Sequence, residues 1–199
     1  MTRSLSLALA TLVLPALCLA QDARKGTKLP VDTARLRKTV ETLSGLEPAR
    51  NHRNIESLDK AATLIRKEFD RLDFEVREQE FEVSGKTYRN VIARVGPKTG
   101  DLVVLGAHYD VCGDQPGADD NASGVAGLLE VARLLKVLAP TLKRPVELVA
   151  YTLEEPPNFA TKTMGSYVHA KALVDAKVRV RAMLCLEMIG YFSDAPGSQ

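Results

Sequence analysis

Past residue 100 the chain alternates short apolar runs with helical periodicities, and that alternation leaves few folds open. Leu102 to Ala107 is an apolar run bounded by Gly and Asp. A helix over about Ala122 to Leu138, a strand over Val146 to Thr152, a helix over Ser166 to Asp175 and a strand over Val180 to Met188 follow it. Runs that are apolar on both faces, separated by helices, are the pattern of a parallel sheet covered on both sides. The predicted fold class is therefore α/β, a mixed, mainly parallel sheet with helices on both faces.

The residues ahead of this alternation fit the same plan. Asp32 can cap a helix carrying Leu36, Val40 and Leu43 that Gly45 and Pro48 end. Leu58, Ala62, Ile65, Phe69 and Leu72 recur at helical spacing and predict a second helix over about Ile55 to Leu72. The period then changes to two. Phe74 to Val83 and Thr87 to Val95 read as a strand pair with Gly85 near the turn, forming an antiparallel edge of the sheet.

Residues 1–20 read differently. Arg3 is the only charge before Asp22, Leu5 to Leu14 is apolar or small, and Pro15 leads to Cys18-Leu19-Ala20. This is the pattern of a secretory signal peptide cleaved after Ala20, its apolar part shorter than the roughly 20 residues of a membrane span. The expectation is an exported protein, periplasmic or extracellular, with no stable membrane association after cleavage. Cys112 and Cys185 then remain, and export permits a disulfide without requiring one; each reads as a small packing residue. The 199 residues suit one domain. A net charge of +2 gives no field to hold nucleic acid, and 5% aromatics without Trp supply no base-stacking platform. Nothing in the composition sets the oligomeric state.

Ligands in open α/β sheets bind beyond the carboxyl ends of the strands, so the residues ending each apolar run carry the chemistry. Leu102 to Ala107 runs into His108-Tyr109-Asp110, the Val146 run into Glu154-Glu155, and the last run reaches Glu187. Between them Gly117-Ala118-Asp119-Asp120-Asn121-Ala122-Ser123-Gly124 leads into a helix. Carboxylates crowded without a basic partner raise one another's pKa values unless a cation sits among them. Mixed imidazole and carboxylate donors suit zinc. Asp110, two residues after His108, can hold the imidazole from behind and fix its tautomer. Adjacent carboxylates diverge on a strand, so one of Glu154 and Glu155 can ligate while the other serves as general base.

Gly106-Ala107-His108-Tyr109-Asp110, Pro116 to Gly124, Glu154-Glu155, Met164-Gly165-Ser166 and Glu187-Met188-Ile189-Gly190 together resemble metallopeptidase family twenty-eight. These are co-catalytic zinc exopeptidases that include secreted bacterial leucyl aminopeptidases. The resemblance covers about Arg53 to Tyr191 and implies a zinc-exopeptidase (phosphorylase/hydrolase-like) fold. It implies two zinc ions bridged by Asp120, with His108 and Glu187 on one metal, Glu155 on the other, and Glu154 as the base that takes a proton from the bridging water. The substrates implied are peptide or protein N-termini, and the Asp120-Asn121 peptide is expected to be cis.

The sequence departs from the family in places. Position 187 is Glu where most relatives have Asp, and Pro156-Pro157-Asn158-Phe159 replaces small apolar residues after the Glu pair. The family's last zinc ligand, a His on a later loop, has no counterpart, so residues 21–199 correspond to the N-terminal part of the catalytic domain. His52 and His169 read as surface or helix-face residues. A glutaminyl cyclase-like single-zinc enzyme and a non-catalytic receptor-like relative are the alternatives. The Asp120-Asn121-Ala122-Ser123-Gly124 run speaks against the first, and retention of His108, Asp120, Glu154 and Glu155 against the second.

Overall fold

The computed structural model describes residues 29–197; the expected signal peptide lies outside them. In chain order the elements are α1 (Thr33–Ser44), α2 (Ile55–Asp70), β1 (Glu75–Val83), β2 (Lys86–Val95) and β3 (Leu102–His108). Then follow α3 (Gly124–Leu138), β4 (Val146–Tyr151), α4 (Gly165–Asp175) and β5 (Val180–Cys185). The sheet order is β1-β2-β4-β3-β5. β1 with β2 and β2 with β4 run antiparallel, while β3 is parallel to both β4 and β5. The parallel half is thus the half that the alternation marks out. No helix among the described residues is long and apolar enough to cross a membrane.

Local sequence sets these elements. The Asp32 side chain accepts from the Arg35 amide at 3.0 Å, satisfying one of the free donors that begin α1, and Gly45 caps its other end. Ser84 and Gly85, both at positive φ, join β1 to β2 in a two-residue hairpin.

Side-chain alternation along the strands divides the core in two. Val91, Ala93, Leu105, Ala107, Leu148 and Ala150 face Leu43 of α1, Ile65 and Phe69 of α2, and Leu128 of α3. Ile92, Leu102, Val104, Val149 and Tyr151 face the opposite side, where Leu173 of α4 packs. Phe69 is fully buried, and its replacement by Ala carries the usual cost of about 3–5 kcal/mol for a large ring in a packed core. Gly106 has no side chain because the Tyr151 ring occupies the place where a Cβ would sit.

Two expectations change. The last strand stops at Cys185 instead of Met188, which puts Glu187 on the following loop, and all six residues of β5 are exposed. Among the described residues β5 pairs with β3 alone, so the apolar run that reads as buried lies at an edge of the sheet they form. Cys185 is exposed and Cys112 half-buried; both are free thiols. His169 is the second correction: it lies on a helix face as expected, but on the buried face of α4, only 2% exposed, between Tyr151 and Glu147 rather than at the surface.

Candidate metal centre

His108 is the last residue of β3, 3% exposed, and its two ring nitrogens have different surroundings. Nε2 lies 3.1 Å from Asp120 Oδ1, 3.3 Å from Glu187 Oε1 and 3.7 Å from Glu154 Oε2. Nδ1 faces Asp110 Oδ1 at 3.4 Å. Asp110 is itself buried, and its two oxygens accept from the Glu154 and Glu155 amides at 3.1 Å each. One carboxylate therefore backs the imidazole and also sets the chain that carries the Glu pair.

The remaining donors arrive from loops. The Asp120-Asn121 peptide is cis, as the resemblance implies. The loop it belongs to grips the segment carrying Glu187. Asn121 Nδ2 donates to the Leu186 carbonyl at 2.9 Å and to Glu187 Oε2 at 3.1 Å. Asp119 Oδ1 accepts from the Gly190 amide at 2.8 Å, and Ser123 Oγ from the Ile189 amide at 3.0 Å. Glu154 and Glu155 do not diverge as adjacent strand residues would. β4 ends at Tyr151, Leu153 takes a positive φ of 56°, and both carboxylates come to lie near His108.

Two groups of donors result, with ligand atoms in each within 4.8 Å of one another: His108 with Asp120 and Glu187, and His108 with Glu154 and Glu155. All four sequence-predicted metal ligands, His108, Asp120, Glu155 and Glu187, thus belong to one site, together with Glu154 and Asp110. Asp120 and Glu155 fall in different groups. His52 and His169 belong to neither, and His169 is engaged with Glu147 at 3.0 Å.

The electrostatics are those of a site short of positive charge. Among the described residues no Lys or Arg forms an ion pair with Asp110, Asp120, Glu154, Glu155 or Glu187. Burial pushes the Glu155 carboxyl up to about 7, with Asp120 adding to the effect and His108 opposing it. Burial likewise raises Glu154; there His108 opposes, while Asp110, Glu187 and Asp120 reinforce. Burial disfavours the charged form of His108, but Asp110 and Glu187 outweigh it and the imidazole is pushed up to about 11. Asp120 Oδ1 and His108 Nδ1 are buried without a hydrogen-bond partner. A buried carboxylate oxygen that accepts no hydrogen bond, beside an imidazole, fits a divalent cation, and the mixed nitrogen and oxygen donor set fits zinc.

Arg50 is the residue that sequence reading missed. It is 1% exposed and its guanidinium donates to four backbone carbonyls around the site. Nothing in Ala49-Arg50-Asn51 separates it from a solvated loop arginine. Asn121 and Ser123 were legible only as parts of a motif, not as the clasp on residues 186–190.

Comparison with known proteins places the chain in a family. The model of peptidase family M28 matches residues 90–198, more than half of the chain, and the chain belongs to that family. It is 44% identical over 186 residues to YfbL of Escherichia coli strain K12, an uncharacterized protein, covering 89% of this chain and 56% of that one. It is 29% identical over 192 residues to leucine aminopeptidase 1 of Metarhizium robertsii, covering 89% of this chain and 47% of that one. The chain thus spans about half the length of these relatives. A glutaminyl cyclase from Porphyromonas gingivalis shares the fold, with a TM-score of 0.68 and 23% identity over 80% of this chain and 60% of that one.

Proposed function

We propose that this chain carries the metal centre of an exported zinc aminopeptidase that hydrolyses N-terminal peptide bonds, with His108, Asp120, Glu155 and Glu187 as the residues that would hold two zinc ions. Asp120 Oδ1 carries the reading: a buried carboxylate oxygen without a hydrogen-bond partner, 3.1 Å from His108 Nε2. His108 and Glu187 would hold one zinc with Asp120, and Glu155 the other. Zinc bound by such donors supplies a Lewis acid and makes water acidic enough to react near neutral pH.

The chain's own residues do the rest. Glu154, with Oε2 3.7 Å from His108 Nε2 and not needed among the ligands, is the general base that accepts a proton from the attacking water and returns it to the leaving amine. Asp110 keeps Nε2 of His108 aimed into the site and anchors the backbone of Glu154 and Glu155. Glu187 reaches the site from its loop because the longer side chain is tied by Asn121.

The group containing Glu155 has no imidazole of its own, since both groups share His108. The expected titration therefore has one tight zinc and a second bound at least about tenfold more weakly, imidazole being the stronger donor for this metal. The test is elemental analysis and zinc titration of the chain, with turnover of a leucyl chromogenic amide followed at each equivalent. Activity that rises with the second equivalent supports the proposal; a chain that takes up no zinc removes it. An N-terminal glutaminyl peptide assayed in parallel separates hydrolysis from cyclisation, a reaction the shared fold alone leaves open.

A further inference from the structure

We infer that Arg50 is a positioning residue for the metal centre, a strut that sets the separation of His108 and Asp120 by tying the end of β3 to the loop ahead of Asp120. This rests on the metal-centre reading above. Nε donates to the Tyr109 carbonyl at 2.8 Å, one residue past His108. Nη1 donates to Pro116 at 2.6 Å and to Leu43 at 2.9 Å, and Nη2 donates to Gly117 at 2.6 Å. The Arg50 carbonyl closes the clamp by accepting from the Val111 amide at 3.2 Å. One side chain thus joins two of the three segments that bring ligands to the first donor group, those carrying His108 and Asp120, and fastens them to the end of α1.

The loop is built around this side chain. Gly117 has φ 59°, and a Cβ there would collide with Val111 Cγ1 and the Asp120 carbonyl and lie 2.9 Å from Arg50 Nη2. The Gly117 carbonyl also accepts from the Ala122 amide at 3.1 Å, so the Arg50 contact is continuous with the turn that presents Asp120. Among the described residues no carboxylate forms an ion pair with Arg50, and its donors go to carbonyls instead. A guanidinium can serve several carbonyls at once because its donors spread in a plane; an ammonium is a single point. Burial lowers the Arg50 pKa to about 10, while Asp110 and Asp120 pull it back up. The charge therefore sits behind the acidic cluster and contributes to its balance without touching it.

Arg50→Lys keeps the charge and removes the fork, so it separates positioning from charge. Supporting groups behind metal ligands typically change metal affinity by about 10–100-fold, and a loss in that range is expected for the tight zinc of Arg50→Lys. In metal-free protein, hydrogen exchange of the Ala122 amide is expected to speed up selectively, with the α4 and β4 amides keeping their wild-type rates. Gly117→Ala, whose Cβ would press on Arg50 Nη2 and on the loop that the fork holds, is the second variant and should reproduce both changes if Arg50→Lys fails to fold. Zinc affinity within about twofold of wild type in the folded variant, or exchange that rises uniformly through the chain, overturns the role given to Arg50. A wild-type chain that binds no zinc overturns the metal-centre reading itself, a different result.

Discussion

At the carboxyl ends of the parallel strands His108 faces Asp120, Glu154 and Glu187 on one edge and Asp110 on the other, with no Lys or Arg among the described residues paired to any of them. Toward the other end of the same strands His169 faces Glu147 at 3.0 Å, but there Arg77 and Arg94 reach the second oxygen of that carboxylate at 3.4 and 3.3 Å. The Tyr151 hydroxyl completes the set at 3.0 Å from Nδ1 of His169. Both imidazoles are buried beside carboxylates, yet their neighbours leave opposite results. Despite burial, the His169 hydrogen bond and, after it, the two arginines hold the Glu147 carboxyl below its ordinary range, whereas Glu154 and Glu155 are raised. A histidine among carboxylates is a ligand site when the cation is missing and a structural pair when the protein supplies its own.

The largest expected difference is in turnover. Glu154→Gln should lower kcat on a leucyl amide by about 10²–10⁴-fold, the usual share of a general base, with bound zinc unchanged by elemental analysis. Glu147→Gln should leave kcat within about twofold, because a satisfied pair does no proton transfer for the site. Comparable losses in both variants would erase the distinction between the two centres.

Zinc itself should act on one centre only. A ligand that binds the folded state alone stabilises it by about 4 kcal/mol at a thousandfold excess over Kd. Calorimetric melts should show that increment in the wild type and in Glu147→Gln. Asp120→Asn should lose most of it, since Asp120 belongs to the first donor group and offers the buried unpaired oxygen.

Removing one partner from the balanced centre should cost stability in the absence of any metal. Glu147 is 2% exposed, and truncating one member of a buried pair costs about 3 kcal/mol because the remaining groups stay buried without it. Glu147→Ala should therefore shift the urea midpoint of metal-free protein well below wild type while the zinc stoichiometry stays as it was. A midpoint unchanged from wild type would mean that the arginines and His169 find solvent without cost.

What could be seen in the sequence follows from how each feature is encoded. The helices and strands were legible because apolar spacing writes them directly: Leu58, Ile65 and Phe69 share a helical face and are buried as expected. The site was legible because its ligands fall where apolar runs end. Edge position is not encoded in the same way. β5 carries an apolar run like that of β3, and only the sheet order reveals that it has one neighbour. Arg50 and the His169–Glu147 pair were not legible at all. A buried polar group is recognised by its partners, and those lie at Pro116 and Gly117 for Arg50, at Tyr151 and Glu147 for His169, and at Arg77, Arg94 and His169 for Glu147. Such partners come from other elements, brought together by the fold rather than by spacing along the chain.

The smallest expected effect is in the acid limb of stability, where the balanced centre can be read by titration. Burial alone would raise the Glu147 carboxyl, but the His169 hydrogen bond and the arginines prevail, so its pKa falls below the ordinary 4.5. A carboxyl depressed in the folded state stabilises that state above its unfolded pKa, and the contribution disappears as pH falls through the folded value. The wild type should therefore lose stability from about pH 4.5 downward through this group, and Glu147→Gln, less stable at neutral pH, should show a shallower acid limb. Urea midpoints measured in metal-free protein between about pH 6 and pH 3 give the two slopes, and that window is set by the lowered pKa. Parallel curves for the two proteins would mean that the proton is taken up elsewhere and that Glu147 is not held ionised by its arginines.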